Sequence, residues 1–159
     1  EREPSGGESA WRIETKRYQP RIQAGAVLRF ALRANPVVRV RDEEGRQHRH
    51  DVVMQARREL SADEPPPATV DLIQRAAVGW LDVRAGALGF RLVEETVTAD
   101  AYHQHRLPRR RGKPIRFSSV DLEGLLEVAD PDRLTQTLFR GIGPSKAFGC
   151  GLLLVKPAR

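Results

Sequence analysis

Gly141-Ile-Gly-Pro-Ser-Lys-Ala-Phe-Gly-Cys-Gly-Leu-Leu-Leu-Val155 sets four glycines and a lysine between a helical stretch, 131–140, and an apolar strand, 152–155. Glycine at this density marks backbone at positive φ, or an approach closer than a Cβ allows. Lys146 in the middle points to an anion. The order of the elements decides the fold class. A phosphate-cradling loop runs strand, glycines, helix, so that the helix N-terminus meets the phosphate. This one runs from helix to strand, and Gly141-x-Gly143 leads to Lys146 where the dinucleotide pattern needs glycine. A mononucleotide-binding α/β fold therefore fits poorly. A tight helix-to-strand connection with Gly141 as C-cap accounts for one or two glycines, but leaves Gly149 and Gly151 unexplained.

Upstream, Asp130 reads as the N-cap of the preceding helix with Pro131 at its first position, and Leu134, Leu138 and Phe139 as its inner face. Two strands precede it, over 88–102 and 114–128, with Gly124 as a possible bulge; they form a long hairpin. The periodicity of Val70, Ile73, Ala77, Trp80, Leu81 and Ala85 predicts a helix over 69–86, ended by Gly86. In residues 27–33, Leu28, Phe30 and Leu32 alternate with Arg29 and Arg33, as in a strand. Asn35-Pro36 interrupts it, 37–41 continues it, and 42–50 reads as a charged turn. A helical start at 54–60 leads into a proline-rich segment. From residue 26 the order is strand, helix, strand, strand, helix, strand. That is the α+β, ferredoxin-like βαββαβ arrangement, both helices lying on one face of an antiparallel sheet. Trp11 to Thr15 alternates as a short strand without a preceding partner. A strand of this kind with nothing before it suggests that an N-terminal portion is absent.

Forty per cent apolar and 30% charged residues in 159 describe an ordinary globular protein. No apolar run approaches a membrane span, and no charged-then-apolar leader is seen. The single cysteine, Cys150, reads as a small core residue in a reducing compartment, the cytoplasm. The formal net charge of +6 has one source. Arg106, Arg109, Arg110, Arg111, Lys113 and Arg116 cluster at the hairpin tip without an acid among them. The rest of the chain balances to zero, so this is a local electrostatic patch suited to a polyanion.

Three stretches carry a family resemblance: Leu32-Arg-Ala-Asn-Pro36; Pro114-Ile-Arg-Phe117 followed by Leu122-Glu-Gly-Leu-Leu126; and the terminal Gly141-Ile-Gly-x-x-Lys-x-x-Gly-Cys-Gly-Leu-Leu153. Together they resemble the CasE family, the type I-E CRISPR-associated endoribonucleases of RAMP type. The resemblance runs from about Trp11 to the end. It implies two tandem ferredoxin-like domains, with 1–25 the remnant of the first and its linker and 26–159 the second, and metal-independent cleavage at the base of a CRISPR repeat stem-loop RNA by the RNA's own 2′-OH. It also implies that the product stays in a complex with other Cascade subunits. No cofactor or metal is implied. The family's catalytic histidine and tyrosine lie in the first helix of its first domain, and no residue here matches them. No catalytic residue is therefore assigned.

The expected RNA-binding residues are Arg106, Arg109, Arg110, Arg111, Lys113, Arg116 and Lys146, with Gly141, Gly143, Gly149 and Gly151 shaping the loop. Arginine suits both phosphate and guanine. The glycines serve mainly the fold; Lys146 either touches RNA or helps hold the last strand. Arg29 and Arg33 either line the RNA side or are ordinary exposed arginines. His103 and His105, on one side of a strand, read as polar edge residues before acid–base groups. His48 and His50 read as surface-loop residues, and Trp80 as core. No aromatic pair of the RRM kind is seen on the strands, so stacking of that kind is not expected.

Overall fold

The computed structural model describes residues 14–15, 18–60 and 67–158. The strand expected at 11–15 lies outside these residues save for Glu14 and Thr15, which are exposed and in no strand.

The central strand, β1 (Val27–Ala34), buries Phe30, Leu32 and Ala34 and turns Arg29 and Arg33 outward. It is followed by β2 (Val37–Arg41), β3 (Gln47–Asp51) and α1 (Val52–Arg58), then α2 (Thr69–Leu88). Next come β4 (Phe90–Leu92), β5 (Thr98–Leu107), β6 (Ile115–Val128), α3 (Pro131–Arg140) and β7 (Leu153–Pro157). β1 pairs antiparallel with β6 from Val27↔Glu127 to Ala34↔Val120, and with β7 on its other side. β4 and β5 both pair with β6 and together form one edge of the sheet. Phe30 and Leu32 of β1 share a core with Val120, Leu122 and Leu126 of β6, Trp80 and Leu81 of α2, and Leu134 of α3. The strand order β4/β5–β6–β1–β7, with its two helices on one face, is ferredoxin-like.

The strand expected over 88–102 is broken. A 3₁₀ turn at Glu94–Thr96 divides it, and its second part runs on to Leu107. Thr96 Oγ1 holds the turn, donating to Val93 O at 2.7 Å and accepting from Leu125 N at 2.9 Å. The turn lies over Gly124, where a Cβ would stand 2.9 Å from Val97 Cα. Gly124 is therefore a point of close approach rather than a bulge. The irregularity falls in β5, between Asp100 and His103, where Ala101 has φ 50°.

α2 passes Gly86 and ends at Gly89, whose φ is 90°. A Cβ on Gly89 would press on Leu134 N and stand 2.6 Å from Asp130 O, so the first turn of α3 covers it. Asp130 caps α3 as expected, accepting from Asp132 N and Arg133 N. Val70 and Phe139, both expected inside, are 67% and 64% exposed. Val70 sits in the first turn of α2, ahead of the buried stretch. At ~100° per residue, Phe139 lies well off the line of Leu134 and Leu138, and Thr137 takes the inner position instead, donating to Leu88 O.

Asn35-Pro36 does more than interrupt a strand. It sends β2 into a separate two-stranded sheet with β3. The turn expected over 42–50 is shorter, closed by Asp42 N to Arg46 O and Gly45 N to Asp42 O. His48 and His50 thus stand on a strand. Asp51 ties this small sheet to the main one. Its carboxylate caps α1 through Met54 N at 2.8 Å, and accepts from Tyr102 Oη at 3.0 Å and from the Ser118 hydroxyl. Burial raises the Tyr102 phenol to about 12, opposed by a bond from Gln104 and assisted by the Asp51 charge.

Two measurements check these joints. Gly89→Ala should cost about 2–4 kcal/mol in urea unfolding, through left-handed strain and the clash with α3. Gly86→Ala, with nothing within 4 Å of the new Cβ, should gain up to about 1 kcal/mol; equal effects would mean that the helix end is misplaced. In a Tyr18→Phe variant, which leaves Tyr102 as the single tyrosine, phenolate absorbance should rise near pH 12 rather than 10. Because the folded value is raised, the associated stability is complete below pH ~10 and lost as pH climbs through the folded value. Ionisation at the ordinary value would mean that the Tyr102 phenol is not buried against Asp51 as described.

Candidate nucleic-acid interface

β5 and β6 run past the helices as a two-stranded finger. His103 pairs with Ser119, His105 with Phe117, Arg106 with Arg116, and Leu107 with Ile115. All six expected cations, Arg106, Arg109, Arg110, Arg111, Lys113 and Arg116, are exposed on it. Among the described residues no carboxylate pairs with any of them, whereas Arg33, Arg46, Arg91 and Arg133 all have acidic partners. Like charges directly opposite on a strand pair are destabilising, and Arg106 faces Arg116. Such a finger is relieved by a polyanion.

The glycine loop is a compact backbone crossing. Gly141, Gly143, Gly149 and Gly151 all have positive φ, from 70° to 92°. Ile142 N donates to Gly151 O at 2.8 Å, and Gly151 N to Arg33 O at 2.6 Å. A Cβ on Gly141 would stand 2.6 Å from Gly151 O, and one on Gly151 2.7 Å from Ile142 O. These two glycines let the chain ends of the loop touch. A Cβ on Gly143 would meet the Trp80 ring at 3.3 Å. Trp80 is buried, as expected, with Nε1 donating to Val37 O. Asn35 Nδ2 donates to Ser145 Oγ at 2.6 Å, which explains why Leu32-Arg-Ala-Asn-Pro36 accompanies the glycine motif. Lys146 is exposed at the start of a 3₁₀ turn, Lys146–Phe148, its stem over Gly141 and Gly151. Cys150 is buried, and burial pushes its thiol up.

Finger and loop meet through rings. His105 stacks on Phe117 with centroids 4.5 Å apart, and Phe117 stacks on Phe148 at 5.0 Å. A cleft of about 760 Å³ opens beside them, lined by Arg106, Arg116, Phe117, Ser145 and Phe148, and by Arg49 from β3. Phe117 is on a strand and its stacking partner comes from the loop, an arrangement different from the strand pair of the RRM kind. Phe148, Arg49 and Asp51 were not among the expected site residues. The available signal was the parity of β6, which puts Phe117 with Ser119 and Asp121, away from the helices.

The other candidates fall elsewhere. Arg33 grips Asp121 with two bonds of 2.7 Å, its hydrogen bond holding the Asp121 carboxyl below the usual range. Arg29 lies opposite Leu125 and Lys156, exposed. His105 Nε2 is bonded to Ser119 Oγ at 2.8 Å. His48 Nε2 meets Asp42 at 2.7 Å, and His50 Nδ1 meets Gln55 at 3.2 Å. Among the described residues no three His, Cys, Asp or Glu converge as metal ligands, and no helix is long and apolar enough to cross a membrane.

A family model described as CRISPR associated protein matches residues 1–157. The CRISPR-associated endoribonuclease Cse3 of Thermus thermophilus is 34% identical over 151 residues, covering 89% of this chain and 61% of the relative. The CRISPR system Cascade subunit CasE of Escherichia coli is 30% identical over 146 residues, covering 91% of this chain and 65% of the relative. The chain thus spans about three-fifths of the length of the curated relatives it matches. A solved structure of Thermus thermophilus Cse3, bound to an RNA representing a pre-cleavage complex, superposes with a TM-score of 0.66 at 34% identity. That match covers 91% of this chain and 60% of the other. With a family model matching almost its whole length, and these relatives beside it, the chain belongs to the CRISPR-associated proteins of the CasE family.

Proposed function

We propose that this chain is the stem-loop-gripping part of a CRISPR repeat RNA-processing endoribonuclease. The observation that carries this is the finger: six exposed cations with no acidic partner among the described residues, two of them opposite one another, beside the cleft that the glycine loop shares. The relatives' names support it, one an endoribonuclease and the other a Cascade subunit, as does the RNA bound to Cse3. The partner is the repeat stem-loop RNA, held through phosphates along its groove, with guanine contacts from arginine. Lys146 adds a cation from the loop. The bound product is retained with other Cascade subunits, in the cytoplasm.

Cleavage needs a base to take the 2′-OH proton and an acid for the leaving 5′-oxygen. In the proposed reaction the 2′-oxygen attacks the adjacent phosphorus, the P–O5′ bond breaks, and a cyclic phosphate remains. No metal or other cofactor takes part. The histidines of the finger are poor agents for this. His105 is stacked and bonded to Ser119, and His103 lies by the Arg33–Asp121 pair, its charge helping to lower Asp121. The acid–base pair is accordingly assigned to family sequence that these 159 residues do not match. Residues 1–25 are assigned to the end of a first ferredoxin-like domain and its linker, and 26–159 to the RNA-gripping domain.

A repeat-hairpin RNA from a CRISPR array tests this in one gel series, with chelator present. The chain should retard the hairpin without cutting it. Arg109→Ala with Arg110→Ala should weaken binding and lower the slope of log K against log salt by roughly 0.7–0.9 for each phosphate left unneutralised. Cutting by this chain alone would refute the assignment of the acid–base pair. An unchanged affinity in the double variant would refute the finger's role.

A further inference from the structure

Resting on the RNA reading above, we propose that the cleft between the two hairpins seats one unpaired RNA nucleotide. Its base stacks on the open face of Phe148, and its phosphate lies among Arg49, Arg106 and Arg116.

The rings give the first reason. His105, Phe117 and Phe148 form a ladder with successive interplanar angles of 18° and 25°. His105 is braced by Ser119, and Phe117 is covered on both faces. Phe148 ends the ladder and is 42% exposed. A large ring left open at the end of a stack is a platform that any base can extend, because every base has a π-face.

Charge gives the second reason. Arg106 and Arg116 from the finger and Arg49 from β3 line the same cleft, and all three are exposed. Among the described residues the carboxylate lining it is Asp51, which already accepts from Met54 N, Tyr102 and Ser118. Its charge is thereby partly compensated, leaving the cations dominant. Gln104, which is exposed, borders the cleft as well and offers its amide oxygen to a base edge.

Size and topology select the occupant. About 760 Å³ lies within the range of roughly 300–1,000 Å³ typical of small-ligand pockets. It holds a nucleotide with its phosphate, not a duplex. A base inside a stem has both faces covered by its neighbours, and the end pair of a duplex is too wide for the cleft, so the base that meets Phe148 is an unpaired one. β3 and its Arg49 therefore acquire a role: the small second sheet forms the far wall of a nucleotide seat.

The probes are RNA hairpins with single-stranded flanks, carrying one abasic nucleotide at each position in turn. Binding is read by fluorescence anisotropy. One unpaired position should show a loss of about tenfold on base removal in the wild-type chain. Phe148→Tyr should keep that penalty, whereas Phe148→Leu and Phe148→Ala should reduce it to less than about twofold. Arg49→Ala should weaken all the RNAs alike and lower the salt slope by roughly 0.7–0.9. A flat abasic scan, a penalty confined to paired positions, or a penalty untouched by Phe148→Leu would overturn the seat while hairpin binding stands. No binding of any hairpin by the wild-type chain would overturn the RNA reading, and the seat with it.

Discussion

The interface depends on one backbone crossing, in which Gly151 N–H reaches Arg33 O while Gly151 O receives Ile142 N–H. Three segments meet there: the end of β1, the exit of α3 and the entry to β7. No side chain larger than hydrogen fits at Gly141 or Gly151, since a Cβ at either would fall under 3 Å from a carbonyl oxygen. With the crossing closed, the loop between them is pinned at Asn35 and Trp80, and Phe148 is delivered onto Phe117. Chain geometry thus sets a surface feature. An anion-binding glycine loop uses glycine so that a ligand can approach; here the glycines admit the protein's own backbone. Lys146 and Phe148 are the parts that face outward.

The finger faces the opposite problem. A strand pair with arginines directly opposed, and with no acid paired to them among the described residues, gains nothing from its own side chains. Its base must be held by other means. The Asp51 carboxylate does so, receiving Tyr102 and Ser118 from β5 and β6 while capping α1. A half-buried, multiply bonded carboxylate fixes geometry well, because leaving any one of its donors unpaired is costly. Rigidity at the base lets the exposed charges present themselves at small entropic cost on binding.

The fold was legible in the sequence because its signals are local. Period-two alternation in Leu28, Phe30 and Leu32, the Asp130-Pro131 cap, and the helical recurrence of Ala77, Trp80, Leu81 and Ala85 all act within a few residues. What was not legible depends on contacts far apart in sequence. Gly86 and Gly89 look alike until α3 is placed over one of them. Gly124 resembles a bulge until Val97 is seen above it. The division of 27–41 between two sheets follows from where Pro36 O meets Val52 N, which no window of sequence contains. The cationic tip was plain from composition. Phe148 was not, because its meaning lies in a ring 31 positions away.

These two supports also separate gripping from cutting. Acid–base chemistry needs a nitrogen lone pair free to take a proton and a ring free to orient. On this surface the histidine nearest the cleft is spent on structure: His105 is stacked at the bottom of the ladder and bonded to Ser119. The arginines have the reverse property, permanently charged and uncommitted. On the reading proposed above, a surface with free permanent cations and an engaged imidazole holds a phosphodiester in place rather than breaking it. Under the proposed function that division has a physical advantage. Affinity can rise with the number of cations without altering any proton-transfer geometry, so the product remains bound after the bond has been cut.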